Sequence, residues 1–287
     1  MDLTLHSFFA RDGARLTFRL LGSTSPSRPP LICVPGGPML DSDYLGDLGG
    51  LHADRALALL DPRGTGSSGG ADDPSACRCD RLADDLEALR EHLGEARIEL
   101  LGHSAGANVV YRYAERSPGR VCRLVLVAPS VRGLDLEVPN DARRTVARLR
   151  SEEPWFADAM GALEAAWVGT ATAEQLGLLE PFSHGCWDDA TRAYVARMDA
   201  RRDPRHIQAF GADGAFDATS TRDALSRLDA PVLVLAGGLD VGVPPALAEQ
   251  VARLFANADF VVQPGAGHFP WRNGAERFRR LVAPFLA

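Results

Sequence analysis

Short apolar runs recur along this chain, and each breaks off in a glycine- or proline-rich turn. Residues 31–34 (Leu-Ile-Cys-Val) run into Pro35-Gly36-Gly37-Pro38, and residues 56–60 run into Asp61-Pro62-Arg63-Gly64-Thr65-Gly66. Residues 98–101 meet Gly102-His103-Ser104-Ala105-Gly106, residues 121–128 stop at Pro129, and residues 231–236 stop at Gly237-Gly238. A last run, 260–262, precedes Gly265-Ala266-Gly267-His268. Runs this short and this apolar read as strands buried on both faces. The intervals carry helical spacing: in residues 80–93 the apolar positions Leu82, Leu86, Leu89 and Leu93 fall three or four apart. Further helices are expected over 107–114, 245–255 and 275–286. Strands alternating with amphipathic helices require crossover connections, which predicts an α/β fold with a mostly parallel central sheet flanked by helices. Ahead of the series, the first twenty or so residues read as a hairpin turning at Asp12-Gly13, and residues 23–30 as a short polar linker.

The alternation lapses between residues 131 and 222. That stretch is rich in Ala, Arg and Asp and holds Trp155, Phe156, Trp167, Phe182, Trp187, Tyr194, Phe210 and Phe216. It reads as a helical cap inserted into a core made of residues 1–130 and 223–287. Part of its aromatic content would form the cap's own small core. Trp155, Trp167, Trp187 and Phe216 are taken as candidates to line a substrate pocket beneath it.

Composition narrows the function. At 287 residues the chain can bury one large α/β core with an inserted subdomain. A net charge of −7, with no basic stripe, argues against nucleic acid. All 31 cationic side chains are arginines, so a Schiff-base lysine and a Walker-type phosphate lysine are both excluded. The N-terminal residues lack a signal-peptide pattern, and no apolar run approaches the roughly 18 residues a membrane span needs. A cytoplasmic protein without membrane attachment is the expectation. Five irregularly spaced cysteines give no disulfide framework, and Cys77-Arg78-Cys79 lacks the second ligand pair of a metal site. Neither metal nor cofactor is expected.

The turn at Gly102-His103-Ser104-Ala105-Gly106 fits G-x-S-x-G, with a strand before it and a helix start after it. Glycines on both sides permit a tight strand-to-helix turn that presents the serine hydroxyl, while the following amides lie at a helix N-terminus that favours developing negative charge. A serine hydroxyl needs a base, and the base needs a group to fix its tautomer. Among the histidines, His6, His52 and His92 fall in the hairpin, a loop and a helix. His103 adjoins Ser104, but neighbours in a sharp turn point apart. His184 and His206 lie in the insertion and could face substrate, with its solvated surface the expectation for each. His268 follows the last strand in a flexible turn, from which an imidazole can reach neighbouring strand ends, and is the base. Asp240 follows the strand over 231–236, at the carboxyl edge where catalytic groups collect. Asp229 and Asp259 precede their strands, so Asp240 is the acid.

The chain order Ser104, Asp240, His268 resembles the α/β-hydrolase superfamily over essentially the full length. Pro35-Gly36-Gly37-Pro38 resembles the oxyanion loop of its proline iminopeptidase-like branch, and Asp61-Pro62-Arg63-Gly64-Thr65-Gly66-Ser67 is similar to another of its segments. The resemblance implies an oxyanion hole from the amides of Gly37 and Ala105, with Asp61 and Arg63 bracing loops. The chain departs from the branch at Pro35, where a histidine is usual, and at Ala105 and Ala107. Those peptidases read a substrate amine with cap carboxylates, yet Trp167-Val168-Gly169 has no acid at the matching place; Glu152, Glu153, Glu164, Glu174 and Glu180 are the acids available. The expectation is a serine hydrolase cleaving a small or medium apolar ester or amide through an acyl-enzyme on Ser104. Alternatives are an aminopeptidase, a natural-product enzyme using the same triad for C–C cleavage, cyclisation or acyl-chain release, and a small-molecule binding protein.

Overall fold

A computed structural model describes residues 3–25, 28–137 and 139–287. Met1 and Asp2 of the N-terminal segment, Pro26 and Ser27 of the linker over 23–30, and Val138 in the insertion lie outside the described residues. The core strands are β1 (Leu3–Phe9), β2 (Arg15–Leu21), β3 (Leu31–Val34), β4 (Leu57–Asp61), β5 (Ile98–His103), β6 (Val121–Val127), β7 (Val232–Gly237) and β8 (Ala258–Gln263). They form one sheet in the order β1-β2-β4-β3-β5-β6-β7-β8. The hairpin β1–β2 adds to β4 antiparallel, and from β4 to β8 every pairing is parallel. Gly13 turns the hairpin at φ 85°, with Asp12 accepting from the Ala14 amide at 3.1 Å.

The middle strands serve two cores at once, which is why they read as unbroken apolar runs. Leu124 and Leu126 of β6 and Val232 and Val234 of β7 point to one face, with α1 (Cys79–His92), α2 (Gly106–Arg116) and α9 (Pro245–Ala252) packed over them. Val125 and Val127, with Leu233 and Leu235, point to the other, under Phe278 and Val282 of α10 (Ala275–Val282). The period of two along each strand divides them.

Between β6 and β7 the chain forms helices α3 (Asn140–Arg148), α4 (Phe156–Trp167), α5 (Ala173–Gly177), α6 (Asp189–Asp199), α7 (Pro204–Phe210) and α8 (Ala218–Ser226). Their starts are set by local chemistry. Thr172 and Gln175 form a capping box, and Asp188, Asp203 and Asp217 each accept from a first-turn amide. The first helices enclose a small core of their own, with Val146, Ala159, Leu163 and Phe182 surrounded by Trp155, Phe156 and Trp167. The last two return to the main body: Phe210 and Leu225 are buried in the core shared with α2 and the sheet. Residue 222 thus falls inside a helix that packs on the α/β core. No helix among the described residues is long and apolar enough to cross a membrane.

Candidate active site

Ser104 sits between β5 and α2 with φ at 51°, a left-handed conformation rare for a residue with a side chain. Such strain costs on the order of 1–3 kcal/mol and persists only where the surroundings hold it. Here they do. The Ser104 amide donates to the Val127 carbonyl at 3.0 Å, and its carbonyl accepts from Ala107 at 3.1 Å and Ser130 at 3.0 Å. The flanking glycines have steric reasons: a Cβ on Gly102 would lie 2.9 Å from the Ala107 Cα, and one on Gly106 would strike the carbonyl oxygens of Val34 and Pro35.

Asp240, in the turn after β7, is fully buried. One carboxylate oxygen accepts from the Val243 amide at 3.0 Å and the other from His268 Nδ1 at 2.6 Å. A carboxylate on Nδ1 fixes the proton there and leaves His268 Nε2 as the basic nitrogen. The His268 amide donates to the Ser183 carbonyl of the cap at 2.7 Å. Burial pulls the His268 pKa down, but the charge and hydrogen bond of Asp240 outweigh it, and the net shift is upward from 6.5. Ser104 and His268 line one cavity of about 180 Å³.

The loop after β3 closes one side of that cavity. A Cβ on Gly36 would lie 2.7 Å from the Ser104 Cβ and 3.1 Å from the Ala105 amide nitrogen, so the loop rests directly on the elbow. Among the described residues the amides of Gly37 and Ala105 donate to no protein group. Two unpaired amides beside a serine can hold a developing oxyanion. Deeper in the same region, both oxygens of Asp61 are taken by Ser42 and by the Ser67 amide, and Arg63 forms a buried fork with Asp85 and reaches Asp12. Both side chains tie loops together.

The cap wall of the cavity corrects the expected one. Trp155, Trp167, Trp187 and Phe216 are not among the residues lining it. Trp155 and Trp167 belong to the cap's inner core, each under an arginine, Arg150 and Arg144 respectively. Trp187 packs beside His184, and Phe216 against Phe210. Trp155 and Trp167 use their apolar area in holding the cap helices together, and Trp187 and Phe216 use theirs against the two main cores. The cap instead contributes Glu180, Val195, Met198, Asp199 and Arg202. Arg202 donates to the Gly37 carbonyl at 2.7 Å and to Asp199 at 3.3 Å. Burial, then repulsion from Asp199, raises the Glu180 carboxyl pKa against the opposing pull of Arg202 and His268. Of the five glutamates weighed from sequence, Glu180 alone lines the cavity.

His184 and His206 are buried at 2% and 6% exposure, and so are not surface residues. His184 stacks on Phe269 with ring centroids 5.0 Å apart, and burial pushes its pKa down to about 4. His206 lies against the Gly64 turn. His103, set aside on sequence, also lines the cavity; it donates no side chain to Ser104 but bonds the His268 carbonyl. Arg201-Arg202 carried one sequence signal, as cations just past a helix end, which the helix dipole already explains. Tyr44 carried none. Among the described residues no group of three or more His, Cys, Asp or Glu is arranged to hold a metal ion.

Residues 29–271 match the model of the alpha/beta hydrolase fold family, and the chain belongs to that family. Within it the chain is 28% identical over 239 residues to a 2-hydroxy-6-oxononadienedioate/2-hydroxy-6-oxononatrienedioate hydrolase of Paraburkholderia xenovorans, covering 80% of this chain and 76% of that one. It is 23% identical over 290 residues to a proline iminopeptidase of Heyndrickxia coagulans, covering 96% of each. Among solved structures, a thermophilic esterase of Thermogutta terrifontis superposes with a TM-score of 0.69 at 26% identity, over 99% of this chain and 98% of that one.

Proposed function

We propose that this hydrolase cleaves a compact ester or amide through an acyl-enzyme on Ser104. His268 Nε2 takes the hydroxyl proton as Ser104 Oγ attacks the carbonyl carbon. The carbonyl oxygen becomes an oxyanion between the Gly37 and Ala105 amides, and Asp240 steadies the imidazolium. Collapse expels the alcohol or amine, which takes the proton from His268. Water then gives His268 a proton, attacks the acyl carbon, and releases the acid with Ser104 restored. The observation that carries this reading is the 2.6 Å bond between buried Asp240 and His268, on the same cavity as the strained Ser104. A cavity of about 180 Å³ favours a small acyl group. Ser104→Ala should abolish hydrolysis of an activated acyl ester, and an unchanged rate would exclude the assignment.

A second reading, an aminopeptidase-like specificity, is favoured by Glu180 and Asp199 on the cap wall, where a substrate ammonium would relieve their repulsion. Aminoacyl amides tested against neutral esters of the same acyl size separate the two. Glu180→Gln should raise KM for the aminoacyl substrate alone.

A further inference from the structure

We propose that His103 and Tyr44 are positioning residues, joining the oxyanion loop, the nucleophile elbow and the base loop through a single hydrogen-bonded chain. The Gly36 amide donates to Tyr44 Oη at 2.6 Å, Tyr44 Oη lies 2.7 Å from His103 Nδ1, and His103 Nε2 lies 2.9 Å from the His268 carbonyl oxygen. Tyr44 and His103 are 7% and 1% exposed.

The direction of every bond follows from its two ends. A backbone carbonyl only accepts, so His103 Nε2 carries a proton and donates it to His268. In the neutral ring Nδ1 then holds a lone pair, which accepts the Tyr44 hydroxyl proton. The Tyr44 oxygen in turn accepts from Gly36, whose amide only donates. Tyr44 Oη both donates and accepts, every other polar atom of the chain has one role, and none is left over.

The chain spans all three loops of the proposed site. Gly36 precedes Gly37, His103 precedes Ser104, and the last acceptor belongs to His268 itself. Around it the rings are packed edge to face: His103 lies 4.8 Å from Trp271 and 4.9 Å from His268 between centroids, and Tyr44 lies 6.0 Å from Phe269. Such packing prevents the imidazole from rotating to another acceptor. Neither His103 nor Tyr44 has an exchange of protons with substrate in the acyl-transfer steps; their effect passes through the backbone of Gly36 and His268. This rests on the serine hydrolase reading above.

The test compares His103→Phe, Tyr44→Phe, the double variant and His103→Gln, with an activated acyl ester and a fluorophosphonate probe on the full chain. Tyr44→Phe removes one oxygen and keeps the ring, so it reads the chain even where His103→Phe fails to fold. Displacements below an ångström at a reacting group are enough to cost on the order of 10- to 100-fold. Each phenylalanine variant should therefore lose about that much in kcat, with KM within about threefold and labelling slowed in parallel. Because one chain is broken in either case, the double variant should be no slower than the slower single one. His103→Gln, with a carbonyl to accept and an amide to donate, should recover most of the loss. A folded Tyr44→Phe with unchanged kcat, multiplying losses in the double variant, or a loss confined to KM would overturn the proposal. Failure of the underlying function reads differently: the wild-type protein would then resist the fluorophosphonate, or Ser104→Ala would keep its rate.

Discussion

Arg202, three residues past the end of cap helix α6, donates from Nη2 to the carbonyl oxygen of Gly37 at 2.7 Å. A residue of the cap thereby fixes the peptide plane beside the amide proposed to hold the oxyanion. Nearby, Arg201 bonds both Asp41 and Asp43, and Tyr194 of α6 donates to the Tyr44 carbonyl at 3.0 Å. The end of α6 is thus clamped to the loop over residues 37–44.

Arg202→Met should lower kcat for an activated ester by about tenfold, the cost of a loosened transition-state donor. Because Arg202 is partly exposed and pairs with an exposed Asp199, global stability should change by less than about 0.5 kcal/mol. Steady-state kinetics and a denaturant melt on the same preparation check both.

Gly36→Ala should cost more. Its methyl would sit 2.7 Å from the Ser104 Cβ and 2.8 Å from the His103 carbonyl, both on a rigid elbow. The loop must lift away, carrying Gly37 with it. A loss of about 100-fold in kcat/KM, with the circular dichroism spectrum retained, is expected.

Activity should rise with pH through an ionisation above 6.5, because only neutral His268 can accept the serine proton and Asp240 holds its pKa above that value. Asp240→Asn removes the charge and the reason for the Nδ1 tautomer. The expected result is a fall of about 10⁴-fold in kcat and an acid limb displaced to lower pH. A pH profile of kcat/KM for both proteins decides it.

Stability should respond in the opposite range. His184 titrates near 6.5 when unfolded and near 4 when folded, so the unfolded chain binds more protons between those values. The stability it contributes is complete above 6.5 and is lost as pH falls towards 4, to the extent of about 3 kcal/mol. Buried His103, whose pKa is also driven well down by burial, acts in the same direction. His184→Phe keeps the stacking on Phe269 and removes the titrating ring. Its urea midpoint should be flatter with pH than that of the wild type.

The middle strands were legible because burial on both faces leaves an unbroken apolar run, as in β3, β4 and β7, where every residue is buried. Residues 31–34 are β3 as read, and the elbow, Asp240 and His268 fall at the strand ends that the alternation predicts. The cap was legible as helix but not as surface. An aromatic side chain looks the same in sequence whether it faces a ligand or its own helix bundle, and Trp155 and Trp167 took the second course. Charged residues hide a site equally well, since Glu180 and Arg202 resemble the many solvated acids and arginines around them. The bonds of Tyr44 and His103 were invisible for another reason, although His103 itself stands beside Ser104. Their bonds join segments 59 and 165 residues apart, and no local pattern records that.

The cap leaves the sheet after β6 and returns at β7, and these two strands are direct neighbours, with Leu124 aligned to Val232 and Val127 to Leu235. The pair is parallel, so the chain leaves at the carboxyl end of β6 and re-enters at the amino end of β7, towards the opposite edge of the sheet. Topologically the whole insertion is an enlarged crossover connection between two parallel neighbours, with α8 packed on the main core as its returning helix. Segments ahead of α7 can change in length while the β6–β7 register and the places of Phe210 and Leu225 in the main core stay fixed. The stretch that forms the cap wall of the cavity and the stretch that carries Ser104 are thus separate lengths of chain, joined where the end of α6 grips the loop at Gly37 and where Ser183 accepts from the His268 amide.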